Sequence, residues 1–415
     1  MTPYYITFLI SCLFCYVGER YLCKSGNTFQ VATSDNFWTK KHVIASDITL
    51  QVKHILSSTK RKKMKISKSF FYLSLSVLTV SILAGLRDYS IGTDIMAYGN
   101  DLFYRFDNGA PLFQTIQRIT KIEPLYLTLC WISALLGTSP HMLYFLTGLI
   151  IYGFVMAGLV HYSDEFPLTL SWLGFLCLLY GNTYNAMRQS LALAIGFWSL
   201  HFLKDGKTIK FFLGVVVASF FHTTAIIYIA IYALSLILKT NNKPYIKVLM
   251  IAGVILAMYS FNELLTLFIN FGIFNAKMER YLIKDIDAAF SLNAILIRLP
   301  FLFLILLDFK SFIKPKFNKM KAFERANKGD FYLLMVLMEL MTTLMTVFVS
   351  TLYRIALYFV MFRCMSYARI CKVNKIMNNR IFKCVFLIIY LLIVFIYQNQ
   401  IKGDNQIYPY TFGDF

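Results

Sequence analysis

What most limits the fold of this chain is its repeated long apolar runs, at 143–159, 211–221 and 385–396 among others. About 20 consecutive apolar residues carry a helix across the hydrocarbon core of a bilayer. The strict apolar–polar alternation of a membrane β-barrel is absent. In lipid each segment must satisfy its own backbone polar groups, so the expected fold class is all-α, a polytopic transmembrane helical protein. Composition agrees: 58% of residues are hydrophobic and only 15% are charged, against about a quarter charged in soluble domains.

The formal net charge of +20 would suggest nucleic acid in a soluble protein. Here the Lys and Arg residues concentrate in loops between apolar runs, where they set orientation, so no nucleic-acid partner is expected. The stretch 23–68 holds ten Lys/Arg against two acids and is assigned to the cytoplasm. Residues 204–210, 239–247, 310–328 and 369–383 are basic as well. Spans drawn between these loops fall at about 4–22, 69–86, 141–161, 167–182, 188–203, 209–222, 223–238, 245–262, 292–309, 331–350, 353–370 and 383–398. That makes about twelve crossings with both termini outside. The first run has no basic leader or small-residue cleavage signal and is read as a retained span.

The expected organisation is a first span over 1–22, a basic cytoplasmic loop over 23–68 and a polytopic membrane catalytic domain over 69–415. Its main outer loops are 87–123 and 262–291. Residues 124–137 are apolar but short, and a full crossing there would break the charge parity. They are read as a re-entrant or interfacial helix. The run 211–238 fits one long helix or two bent at Phe221-His222-Thr223, and parity favours two.

Eight cysteines sit in or beside apolar runs without CxxC or zinc spacing, as buried small apolar residues do. The six histidines, at 42, 54, 141, 161, 201 and 222, show no paired metal-ligand spacing. No P-loop or GxGxxG is present. No metal, nucleotide or other cofactor is therefore expected.

Polar residues at the outer ends of spans are costly and point to function. Gly85-Leu86-Arg87 leads into Ile91-Gly92-Thr93-Asp94 and Tyr98, and Glu123 precedes Pro124-Leu125-Tyr126. Both acids also suit the ordinary task of capping a helix start. Arg188-Gln189 opens a span on the outer side, against the positive-inside bias. His222 interrupts an apolar run, where a hydrogen-bonded structural histidine would also fit. Arg354 with Tyr358 opens another span, and Arg280 lies in an outer loop. Arg298 and Glu339 lie within spans, where Glu339 is ion-paired or a neutral hydrogen-bonded acid. Arginine binds phosphate bidentately and keeps its charge in low dielectric. Outer arginines beside Asp94, Glu123 and His222 thus suggest a phosphate-bearing ligand delivered by the membrane, with three candidate general bases.

In their order and spacing, these motifs, together with Ile407-Tyr408-Pro409-Tyr410, resemble the Wzy/EpsG-type bacterial polysaccharide polymerases, which include O-antigen polymerases. The resemblance runs from about residue 70 to the end. The 23–68 loop is longer than the family usually has between its first two spans. The resemblance implies an architecture similar to lipid-using membrane glycosyltransferases (GT-C-like). It implies metal-independent glycosyl transfer at the periplasmic face of the inner membrane, with undecaprenyl-diphosphate-linked oligosaccharides as donor and acceptor. A chain-length regulator and a flippase of the same pathway would be further partners. Arg87, Arg188, Arg354 and Arg280 would bind the diphosphate, and Gln189, Tyr98 and Tyr358 would contact substrate. Asp94, Glu123 or His222 would act as base. Tyr98, Phe103 and Tyr104 are candidates for stacking on sugars. A transporter or flippase of lipid-linked glycans is the competing reading; it should show a charged path across the membrane.

Overall fold

A computed structural model describes residues 1–24, 67–240, 253, 295–307, 328–344, 346, 352–373 and 380–413. The described residues are helical, with a single isolated β-bridge between Arg87 and Phe412. Residues 25–66 of the 23–68 loop, the 262–291 loop with Arg280, and the 245–262 span apart from residue 253 lie outside them.

The order is α1 (Thr2–Lys24), α2 (Ser67–Gly85), a π-helical turn (Ile95–Asn100), α3 (Asp101–Asp107), α4 (Leu112–Arg118), α5 (Pro124–Leu136) and α6 (His141–His161). Then come α7 (Leu168–Leu178), α8 (Asn182–Asn185), α9 (Met187–Lys204), α10 (Thr208–Ser219), a 3-10 turn (Thr223–Ile226) and α11 (Ile227–Thr240). The described remainder comprises α12 (Leu299–Leu307), α13 (Lys328–Leu344), α14 (Leu352–Val373) and α15 (Arg380–Ile396), followed by a π-helical turn (Tyr397–Ile401).

Among the described residues four helices are long and apolar enough to cross a bilayer: Thr2–Cys23, Ser67–Gly85, His141–His161 and Ile381–Ile401. Shorter apolar helices fill in around them, including α5, α7 and α10. At 13 residues α5 spans roughly 20 Å, less than the hydrocarbon core, as its sequence suggested. The 211–238 run is broken: His222 is extended (φ −161°, ψ 126°) between α10 and the 3-10 turn. Phe211 and Phe212 at the start of α10 meet Tyr232 of α11 at 5.5 and 5.7 Å between ring centroids, so the two helices fold back on each other. The break chosen from charge parity is the one observed.

Helices in lipid gain little from apolar burial and associate through close packing and polar contacts. Ser11 of α1 and Ser76 of α2 exchange hydroxyl bonds with each other's backbone carbonyls at 2.8 Å, and Trp172 Nε1 of α7 donates to Ser11 Oγ at 2.9 Å. Gly174 lets α7 approach α14 so closely that an added Cβ would lie 3.3 Å from the Cα of Cys364.

The bundle has two chemically different ends. At one, Glu19 accepts from the Leu168 and Thr169 backbone N–H groups at the start of α7. Lys204 lies 3.5 Å from Glu165 at the same end. At the other, α2 ends, α5, α9 and α14 begin, and the chain after α15 returns. All the described candidate site residues gather there.

Candidate active site

Each acidic candidate is placed by a helix start, though not by its own. Asp94 makes no side-chain cap to the turn it precedes. Its Oδ2 accepts the backbone N–H of Met187, the first residue of α9, at 3.1 Å. A carboxylate there faces the positive end of the α9 dipole. Glu123 likewise makes no side-chain cap to α5; its Oε2 lies 2.6 Å from Arg188 Nη1. The capping role that both acids suited is thus replaced by contacts to the start of α9.

Arg188 is held on two sides. Besides Glu123, its guanidinium lies over the Tyr98 ring, 4.1 Å from the centroid. Tyr98 belongs to the π-helical turn, and its carbonyl accepts from Tyr126 Oη of α5 at 3.0 Å. Arg87 is almost wholly buried, at 2% exposure. It is sandwiched between Tyr144 (4.4 Å) and Tyr184 (4.1 Å), with one Nη 3.4 Å from Met187 Sδ. Among the described residues Arg87 pairs with no carboxylate, and its Nε has no hydrogen-bond partner. Arg354 opens α14, and its carbonyl accepts from Gln189 Nε2 at 2.5 Å.

The carboxyl of Asp94 lies within the fields of Arg188, Arg354 and Arg87. Those cations favour its ionised form. Burial outweighs them and pushes its pKa up to about 6. His222 is within electrostatic reach of Glu123, Arg188 and Arg354. The Leu125 N–H donates to the Phe220 carbonyl at 3.2 Å, joining the start of α5 to the His222 turn. Three arginines, two carboxylates and one imidazole therefore share one end of the bundle, with one positive charge in excess among them.

The orientation of His222 follows from its neighbours. The Thr224 backbone N–H donates to Nδ1 at 3.3 Å, and Thr224 Oγ1 lies 2.8 Å from the same nitrogen. Because a backbone N–H only donates, Nδ1 is the acceptor and the neutral ring carries its proton on Nε2.

Several expected contacts take a different form. Tyr358 is fully buried and its hydroxyl lies 2.7 Å from Thr224 Oγ1, so it supports the His222 turn from inside the fold. Gln189 is 3% exposed and is engaged with Arg354. Tyr98 supports Arg188. Phe103 is fully buried and cannot stack on a sugar. Arg298 and Glu339 stand apart from this cluster as a buried ion pair at 2.5 Å, with Arg363 Nη1 3.5 Å from the same carboxylate oxygen. Tyr144, Tyr184 and Thr224 belong to the cluster without having been singled out beforehand. For Tyr184, adjacency to Asn185 and Arg188 was the available signal. Among the described residues no three His, Cys, Asp or Glu side chains come together as metal ligands would.

A family model described as the EpsG family matches residues 70–412, most of the chain and all of this cluster. No curated protein and no solved structure matches.

Proposed function

The chain belongs to the EpsG family, and on that premise we propose that it is a membrane glycosyltransferase of the polysaccharide-polymerase type. It joins oligosaccharide repeat units carried on a polyprenyl diphosphate, undecaprenyl in bacteria, at the periplasmic face of the inner membrane. The observation that carries this reading is the convergence of Arg188, Arg354 and Arg87 on Asp94. An excess of positive charge at the membrane boundary suits a lipid diphosphate, and a carboxyl with a pKa near 6 suits a general base at neutral pH.

The chemistry then divides simply. Asp94 takes the proton of the acceptor sugar hydroxyl. The hydroxyl oxygen bonds to the anomeric carbon of the donor. The bond from that carbon to the diphosphate breaks, and the lipid diphosphate leaves with the electron pair. Arg188 and Arg354 stabilise the charge that develops on it, and the buried Arg87 adds its positive field from between Tyr144 and Tyr184. Glu123 is engaged by Arg188 and serves to hold that clamp. His222, with its proton on Nε2, donates a hydrogen bond to the diphosphate or the sugar.

A flippase would need a charged route through the bilayer. Helix α14 does carry Arg363 and Arg369 beyond Arg354. Arg363 is 2% exposed beside Glu339, and Arg369 is 1% exposed, 5.3 Å from the Tyr332 ring centroid. Among the described residues neither lines an open path, which favours transfer over transport.

The test is polymerisation by the purified protein in liposomes supplied with lipid-linked repeat units. A ladder of lengthened glycans is expected. Movement of unaltered repeat units between leaflets, with no lengthening, would overturn the proposal.

A further inference from the structure

The chain after α15 does not trail into solvent. Asn399 and Asn405 are 3% and 8% exposed, and polar side chains that deep need partners. They find each other, with Asn405 Nδ2 donating to Asn399 Oδ1 at 2.7 Å, while Asn399 Nδ2 donates to the Phe395 carbonyl at 2.9 Å. Gly181 makes room for the pair: a Cβ there would lie 2.6 Å from Asn405 Nδ2. Ile407 is fully buried, and its carbonyl accepts from Tyr4 Oη at 3.0 Å. Tyr410 Oη donates to the Leu83 carbonyl at 2.7 Å.

This segment touches two of the polypeptide stretches that carry the site. The Asp88 N–H donates to the Thr411 carbonyl and the Gly413 N–H donates to the Leu86 carbonyl, both at 3.0 Å, so Arg87 is flanked by backbone bonds to the tail. On the other side, Asn185 Nδ2 donates to the Asn405 carbonyl at 2.5 Å, and Asn185 Oδ1 accepts the Thr93 N–H at 2.8 Å. Thr93 precedes Asp94, whose carboxylate accepts from Met187, two residues beyond Asn185. Asn185 is thus a two-ended bracket between the tail and the loop bearing Asp94.

We infer that the C-terminal segment is a positioning strap for catalysis, in which Asn405, acting through Asn185, fixes the Thr93–Asp94 backbone so that the Asp94 carboxylate stays against the start of α9. The inference rests on the role given to Asp94 above. Asn185 and Asn405 are positioning residues and do not themselves meet substrate. Without the bracket the Thr93 N–H loses its acceptor and Asp94 slips from Met187. Misplacement of a reacting group by an ångström is enough to slow a reaction strongly. The bond from Met187 also favours ionised Asp94, so its loss raises the pH at which the base becomes active.

The experiment compares full-length wild type, Asn185→Ala, Asn405→Ala, the double variant and Asp94→Asn in the liposome polymerisation assay, across pH. Each single Asn variant is expected to lower turnover by about tenfold or more. KM for the lipid-linked acceptor should stay within about twofold, and the acid limb of the profile should move to higher pH. The double variant should be no less active than the less active single, because Asn405→Ala only loosens the carbonyl that Asn185→Ala can no longer bond. Asn405→Ala keeps the carbonyl that Asn185 uses and is the milder cut, so it reads the relay even where Asn185→Ala yields no inserted protein. Wild-type turnover and profile in the recovered Asn variants would overturn the strap, as would additive losses with an unmoved acid limb. Wild-type polymerisation by Asp94→Asn would overturn instead the role of Asp94, and no lengthening by the wild type would overturn the polymerase reading.

Discussion

Arg188 Nη1 lies 2.6 Å from Glu123 Oε2, and both side chains are only 13–14% exposed. An ion pair of that geometry fixes the guanidinium before any substrate arrives, and the Tyr98 ring beneath it removes a further degree of freedom. Preorganised charge of this kind needs no reorientation when a leaving group develops its own. The pair joins the start of α5 to the start of α9, so the clamp is built on two helix ends.

Arg188→Ala and Arg354→Ala should leave the protein inserted in the membrane while abolishing long glycan chains. A loss of about 100-fold in turnover is expected for either, the scale seen when one charge-stabilising donor is removed. Arg188→Lys should fall between, since an ammonium can pair with Glu123 but cannot present a planar fork to a phosphate. Glycan length on gels, normalised to the protein in membranes, is the measurement. Full-length chains in both alanine variants would contradict the phosphate clamp.

The pH dependence follows from Asp94. Its carboxyl is raised from the ordinary 3.8 to about 6, so as base it is protonated and inactive below that value. Activity should fall by about tenfold per unit as pH drops below about 6. The stability effect has the opposite sense. Between the two values the folded chain holds a proton that the unfolded chain releases, so this group's contribution declines as pH rises from about 4 to about 6 and stays low above. Asp94→Asn removes the charge and keeps an acceptor for the Met187 N–H. It should therefore be inactive yet unfold at the wild-type temperature or higher at pH 7, as measured by thermal unfolding in detergent.

His222 offers a test by shape. With Nδ1 occupied by Thr224, the group left to act is Nε2–H, which a glutamine amide can reach and an asparagine amide cannot. His222→Ala is expected to cost about 100-fold, as loss of a transition-state donor does. His222→Gln should recover much of that, and His222→Asn should not. Equal loss in all three variants would show that hydrogen-bond donation from Nε2 is not what His222 supplies.

Much of this site was legible in the sequence because its charges sit where a membrane protein tolerates few. Arg87, Arg188 and Arg354 stood out against the positive-inside pattern, and the break at His222 followed from counting basic loops. What the charges touch was not legible. Asp94 and Glu123 precede helical segments and read naturally as their caps, whereas both side chains cross to α9, 93 and 65 residues away in sequence. Nothing in a chain with 27 tyrosines distinguishes Tyr144 and Tyr184 as the plates around Arg87. The Asn185–Asn405 bracket joins residues 220 apart, and amides carry no charge to mark them. Local pattern reports which residues are costly in lipid; partner choice is decided by tertiary packing.

Gly92 gives the sharpest test of how tightly the Asp94 loop is held. Its φ of +99° is one that side-chain-bearing residues rarely adopt, and an added Cβ would lie 2.9 Å from the Tyr184 carbonyl oxygen and 3.2 Å from Asn185 Oδ1. Gly92→Ala thus incurs backbone strain of about 1–3 kcal/mol and also pushes on the amide that holds Thr93. Gly109 is the matched control: its φ is +83°, but a Cβ there meets nothing within 4 Å. Both substitutions should lower the unfolding temperature through strain. Only Gly92→Ala should also depress polymerisation beyond what its stability loss explains, because only there does the new methyl displace the segment carrying the base. Equal activity of the two variants, per folded molecule, would show that the loop bearing Asp94 absorbs such a displacement without consequence for the reaction.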